Sequence, residues 1–566
     1  MHEPGLCEIA LGGFETFDEL TRIPIRRLTF LFGPNSAGKS SVEDGIRLLS
    51  EVCDTGDLLA FDDEPIASFE SDYVSRRSRL NRAWRRTGDD PDSYAGLMQI
   101  GASALIDGWD GLTEDVTHND VGTYNPPSPG LHLLEVIIRF RDRDHGAQWP
   151  QRNGLNFVLR DIAFLLDGVP FLEFADHAEA ALNFGHPLLL CLPIPEACRI
   201  GERFRPAHVS TTGGWLRFRG GMIYDSKKRL DQWSYQESWR WNDTEGLEPE
   251  ESWPPPPEMT NALSCFAEVF DRVLQNSCRV VRQTLKPYTV PASRTTPEPR
   301  DLSFLFDGQT SAHESEHATF HITMHGDLRY RRLARSFETS VQQDLEATDS
   351  GEAKQAESLH HRVNRMLTGH LFRERGYQLR ADYRVLMTPG QFESQQGLDD
   401  EVKNDAGRGF SLLIAIHLED PQGRRYAFTE VGSGLGYVLP VLAAACDESL
   451  PVVIVQQPEL HLHPALQAEL GDVFVELSRG GRRLVIETHS EHLLLRVLKR
   501  LRQSGNATGS NPDLHVEPDD VAILYFDPHP DGTTKVKRLR VSADGEFLDR
   551  WPRGFFTERD EELFDE

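Results

Sequence analysis

Residues 33–40, "GPNSAGKS", fit the pattern G-x-x-x-x-G-K-[ST], and their flanks constrain this chain more than any other feature. Before them, "LTFLF" is an apolar run of strand length. After them, "VEDGIRLLSEV" places Val42, Ile46 and Leu49 on one helical face. A strand that turns through glycines straight into a helix gathers backbone N–H groups and the positive helix end at one point. Gly33, Pro34, Asn35, Ser36, Ala37, Gly38, Lys39, Ser40 and Ser41 are therefore the expected cradle for phosphate oxygens. Lys39 would neutralise the outer phosphates and the Ser40 hydroxyl would ligate magnesium, so the expected cofactors are ATP and Mg2+. The competing explanation, a chance glycine-rich turn, leaves the strand and helix on either side unexplained.

With 566 residues, the chain is long enough for a large core and for several domains or one domain with a big insertion. No run reaches the roughly 18 apolar residues of a membrane helix. The longest, "PLLLCLPIP" and "VLPVLAAAC", are core-sized. The N-terminus has no basic region followed by an apolar stretch, and the seven cysteines include no CxxC pair. The expectation is a cytoplasmic protein with reduced thiols and no membrane partner. A net charge of −29 argues against a body coated for non-specific nucleic-acid binding, although a local basic patch can still grip phosphate.

Such a patch is "RRSRLNRAWRR", six arginines in eleven residues. On a helix Arg76, Arg79, Arg82 and Arg86 share a face, with Trp84 available to stack on a base. Contact with DNA or RNA and a solvated helix paired with nearby acids are both open readings. Further on, residues 131–175 pattern as antiparallel strands. Residues 243–260 form an acidic, proline-rich linker, and helical patterns occupy about 260–286 and 332–372. The last third alternates strand and helix at lengths that demand a mostly parallel, covered sheet. The residues after 510 pattern as two hairpins, with "DPHPDG" as a turn.

Within that third, "VVIVQQPELHLHP", residues 452–464, patterns as a buried strand, a proline turn and a helix start. Nucleotide hydrolases keep acids at such a strand tip, where this chain has Gln456 and Gln457. An amide can ligate a cation or hold a water, but it cannot take a proton. Glu459 is the only nearby acid; it either turns inward to the water or serves the next helix N-terminus. The histidines and acids at 459–463 and 487–492 could also be taken for a transition-metal cluster, but only His461 and His463 have a recognised ligand spacing.

Taken together, "LTFLFGPNSAGKSS", "EVGSGLGYVLPVL", "QQPELHLHPALQ" and "VIETHSEHLLLRV" resemble the ABC-type ATPases of the SMC, RecF and OLD kind. More closely they resemble the prokaryotic AAA-like group ending in a tail such as "DGEFLDRWPRGFF". The resemblance covers roughly residues 6–52 and 405–560. It implies an α/β P-loop ABC-type ATPase head with a mixed or parallel sheet, built from residues 1–53 and 400–510. Residues 54–399 would be a large α+β insertion and 511–566 a C-terminal hairpin tail.

The resemblance also assigns roles. Val431–Leu439, with Gly432, Ser433 and Gly434, would be the signature loop that reaches a partner's nucleotide. Gly436 and Tyr437 stand where the group usually carries serine and glutamine. Gln456 would occupy the magnesium position, Gln457 or Glu459 the water position, and His489 the switch position. Residues 461–464 would link the two composite sites. Two heads sandwiching two ATP molecules imply a homodimer. A separate nuclease or toxin would be the effector, in genome maintenance or anti-phage defence, since the chain stops too soon for the OLD nuclease domain. A non-hydrolysing, ATP-stabilised scaffold and a stand-alone nuclease are the alternatives.

Overall fold

A computed structural model describes residues 3–54, 97–113, 130–142, 157–175, 179–183, 186–190, 209–212, 215–219, 257–292, 321–323, 336, 358–386, 411–426, 430–431, 433–505 and 511–552. In chain order, β1 (Gly5–Gly12), β2 (Thr21–Pro24) and β3 (Leu28–Phe32) lead into helix α1 (Lys39–Asp54). There follow β4 (Leu97–Asp107), β5 (Leu131–Asp142), β6 (Phe157–Leu166), β7 (Val169–Ala175), β8 (Glu179–Asn183), β9 (Val209–Thr212) and β10 (Trp215–Arg219). Helix α2 (Pro257–Leu285) precedes β11 (Pro287–Val290) and β12 (His321–Thr323). Next come α3 (Leu359–Met366), β13 (Gln378–Leu386), β14 (Ser411–Glu419) and β15 (Arg425–Tyr426). The final part runs α4 (Ser433–Cys446), β16 (Val452–Gln456), α5 (Pro464–Leu477), β17 (Arg483–Glu487), α6 (Glu491–Gly505), β18 (Val521–Pro528) and β19 (Thr534–Leu539).

These strands form three sheets. The central one has six strands in the order β11-β16-β17-β3-β18-β19, all parallel except the β18–β19 hairpin. Its inner strands read as unbroken apolar runs because both faces are covered. Phe30 and Phe32 of β3, with Val453 and Val455 of β16, pack into a core shared with α4, α5 and α6. Leu31, Val452 and Ile454 face the opposite core, with α1, α2 and the second sheet. Fully burying each such side chain contributes about 1.5–3 kcal/mol, so a tip residue is held by a stiff strand beneath it.

The second sheet has nine antiparallel strands in the order β2-β1-β4-β5-β6-β7-β8-β10-β9. Here the expected division is corrected. The boundary at 53/54 separates no structural unit, because β4 pairs along β1 and extends the sheet begun by residues 5–24. Similarly β11, inside the expected insertion, is an edge strand of the central sheet beside β16. Both turns expected in the tail are present, β18–β19 as a hairpin and a second closed by an antiparallel bridge between Val541 and Phe547, but β18 also lies parallel to β3, the strand that feeds the glycine loop. Burial decides this, since Val521 to Phe526 are all buried and need cover on both faces. The antiparallel strands expected within 131–175 and the helix near 260–286 are in place as β5, β6, β7 and α2. The proline-rich stretch before residue 257, and most of 332–357, lie outside the described residues.

Candidate functional site

The three strands β3, β17 and β16 end together, so the glycine loop, Glu487 and Gln456 meet at one edge of the sheet. This is the side where open α/β sheets bind ligands. Ser36 adopts a left-handed φ of 62° and Gly38 a φ of 84°, which turns the chain into α1. A Cβ on Gly38 would lie 2.3 Å from Thr16 Oγ1, so only glycine fits there. From the far end of the chain, the Thr534 hydroxyl donates to the Ala37 carbonyl at 3.0 Å and its N–H to the Thr16 carbonyl at 2.9 Å. The loop is braced from both sides.

Lys39 is 4% exposed. Its ammonium donates to the carbonyls of Gly33 at 3.0 Å and Pro34 at 2.8 Å, and lies 3.6 Å from the Glu487 carboxylate. Burial lowers its pKa, and the charge of Glu487 opposes that shift. Ser40, the next residue, is exposed at the helix start.

At the β16 tip the Gln456 amide is engaged at both ends. Its Nε2 donates to Glu43 Oε2 at 2.7 Å, and its Oε1 accepts from the Ala292 N–H at 3.1 Å. Turning the amide over would set oxygen against carboxylate and NH2 against N–H, so this orientation is the one the neighbours select. Glu43 is buried, which pushes its pKa up, while donation from Gln456 opposes the shift. Gln457 follows in a left-handed conformation, φ 44°, with its N–H on the Glu487 carbonyl at 2.7 Å. For a side-chain-bearing residue that is a strained position, of the kind that clusters at functional sites.

Glu459 does not serve the helix N-terminus; His463 caps α5, its Nδ1 accepting from the Ala465 N–H at 3.3 Å. Instead, the Glu459 carboxylate accepts from the Thr488 hydroxyl and from the His489 N–H, both at 2.8 Å. The acid ties the proline turn to the residues just beyond β17, and His489 itself is exposed there. His461 and His463 have different neighbours. The His461 ring lies against Tyr437 with centroids 4.3 Å apart, and the groups needed to hold a metal do not converge among the described residues.

The expected signature segment is not a loop throughout: helix α4 begins at Ser433 and carries Gly434, Gly436 and Tyr437 in its first turns. A Cβ on Gly434 would lie 2.7 Å from the His461 carbonyl, so this glycine lets α4 approach the linking segment. Gly432 lies outside the described residues, as do Arg76, Arg79, Arg82, Trp84 and Arg86. Glu43 was not singled out in the sequence, and Glu487 only as an acid of a possible metal cluster. Glu43 resembles any acid early in a helix, and Glu487 any strand-end acid; only the fold brings them to Gln456 and Lys39.

These residues fit a nucleoside triphosphate with magnesium. A buried ammonium, a glycine that admits no side chain and the free end of a 16-residue helix surround one point. Gly33–Ser41 would hold the phosphates, and Ser40 with the strand-tip residues would face the metal.

Residues 306–496 match the family described as "AAA domain, putative AbiEii toxin, Type IV TA system", and residues 516–565 match "Protein of unknown function (DUF3696)". No curated protein matches the sequence. Among solved structures, the chain is similar to an SmcHead bound to the C-winged helix domain of ScpA, at 11% identity over 95% of this chain and 98% of that one, TM-score 0.38. It is similar to the SMC head domain from Thermotoga maritima, at 9% identity over 96% and 100%, TM-score 0.33. It is similar also to a Smc head with an extended coiled coil, bound to the C-terminal domain of ScpA, derived from Pyrococcus furiosus, at 10% identity over 95% and 96%, TM-score 0.33. The match to the AAA-domain family covers the strand-tip and switch segments, and the sheet delivers the glycine loop of residues 33–40 to them.

Proposed function

We propose that the protein binds ATP–magnesium between the glycine loop of one copy and the signature helix of a second, and that this closure controls a separate effector. The observation that supports it most is the buried Lys39 ammonium, held at the loop mouth by two carbonyls and one carboxylate. A desolvated cation gains far more from phosphate than an exposed one would. Bound magnesium would offset phosphate charge and orient the terminal phosphate for attack. Turnover is slow on this reading, because hydrolysis needs a group to take the proton of the attacking water, and Gln456 and Gln457 cannot. General-base catalysis contributes about 10²–10⁴ in rate, so its loss slows hydrolysis while leaving binding intact. The two amides equally suit a scaffold that closes on ATP and never turns it over.

The family description, which names a toxin and a type IV toxin–antitoxin system, supports a setting in defence with a toxin or nuclease as effector. Nucleic-acid contact through Arg76, Arg79, Arg82, Trp84 and Arg86 belongs to the same proposal. No helix among the described residues is long and apolar enough to cross a membrane. The test combines mass in solution with phosphate release. ATP with magnesium is expected to convert monomer to dimer, with turnover well below the median enzyme rate of about 10 per second. A protein that stays monomeric with saturating ATP refutes the gating; dimerisation without any phosphate release selects the scaffold.

A further inference from the structure

Resting on the ATP–magnesium reading above, the geometry points to Glu43 as the carboxylate of the metal site, moved from the strand tip onto helix α1 while Gln456 takes up the vacated position as its amide partner. A buried acid is costly unless it is paired or holds a cation. Glu43 is 8% exposed, just past the first turn of α1 and one turn beyond Ser40, the hydroxyl expected on the metal. Its Oε2 takes the Gln456 Nε2 at 2.7 Å. Its Oε1 is 3.6 Å from the Arg47 guanidinium, whose side chain is 37% exposed and so a weak partner. The Gln456 oxygen is turned away to the Ala292 N–H, and the neighbouring Glu487 carboxylate is paired with Lys39, so Glu43 is the anionic group that meets residue 456. The pair accounts for a glutamine where a strand-tip acid would serve. An acid at 456 would stand within hydrogen-bond reach of Glu43, and like charges that close oppose one another. Magnesium needs few protein ligands and keeps several waters, so one hydroxyl and one carboxylate suffice.

The experiment measures ATP affinity by calorimetry, with magnesium and with EDTA, for the full chain and two variants. Wild type is expected to bind ATP more tightly with magnesium. E43Q keeps an oxygen for the Gln456 NH2, so it should fold and bind ATP in EDTA as well as wild type or slightly better. Its magnesium affinity should fall roughly 10–100-fold, the cost typical of losing a group that supports a metal site. The exchange variant E43Q/Q456E should regain most of the magnesium effect. An E43Q protein with the full magnesium effect, equal losses with and without the metal, or an exchange variant still blind to magnesium would overturn the assignment. If wild type binds no ATP in either condition, the glycine-loop reading itself fails, and this inference with it.

Discussion

Lys39→Ala is expected to abolish measurable ATP binding. The ammonium is buried, so phosphate would meet it with little water between, and truncating one partner of such a pair costs about 2–5 kcal/mol. That is roughly 30- to 5,000-fold in affinity. The same nitrogen bridges the Gly33 and Pro34 carbonyls, so the substitution also loosens the empty loop. Leaving those acceptors without their donor costs about 1–3 kcal/mol. Thermal melting separates the two effects. The variant should still unfold cooperatively, at a somewhat lower temperature, and ATP should no longer raise that temperature. Calorimetry that finds wild-type affinity in Lys39→Ala would sink the site assignment.

The second large effect concerns the strand tip. Gln457→Glu is expected to raise ATP turnover by up to about 10²-fold, because it returns a proton acceptor to the water position. ATP affinity should change little, since the cradle is untouched. The neighbouring change, Gln456→Glu, is not equivalent. It sets a second carboxylate against Glu43, where the amide now donates at 2.7 Å, and should weaken folding rather than speed hydrolysis. Glu459 supplies the contrast. Its two oxygens are engaged by the Thr488 hydroxyl and the His489 N–H, so its geometry is that of a brace on this segment. Glu459→Gln can keep both contacts, accepting from the His489 N–H and donating to the Thr488 hydroxyl, so a modest change is expected. Glu459→Ala loses both and should slow turnover more by releasing the His489 segment. Brisk wild-type turnover that collapses in Glu459→Gln would instead make Glu459 the base.

Much of this site was legible in the residues, for local reasons. A glycine loop between a strand and a helix has one arrangement, and Val42, Ile46 and Leu49 are buried together as their spacing requires. Runs such as Val452–Val455 can only be strands covered on both faces. What was hidden depended on partners far away in sequence. Nothing in "DVAILYF" says that its parallel neighbour is Leu28–Phe32, because parallel pairing leaves no turn between the strands to recognise. Nor could the spacing of Glu459 distinguish a cap for α5 from a brace on residue 489, since both lie within a side chain's reach of one turn. The residues of the signature segment were named as a loop, whereas helix α4 already starts within it at Ser433.

The bracing of the glycine loop has a consequence for how the protein is made. Ala37 and Thr534 are 497 positions apart, yet the hydroxyl of one holds the carbonyl of the other. At about 5–20 residues per second, the ribosome needs roughly 25–100 s between them. Throughout that interval the loop exists without its Thr534 brace and β3 without β18, its neighbour on one side. Nucleotide competence therefore arrives late in synthesis, and a nascent chain stalled before β18 should be blind to ATP. On the proposed reading of ATP-gated closure, a half-made copy would then be unable to close on a finished one.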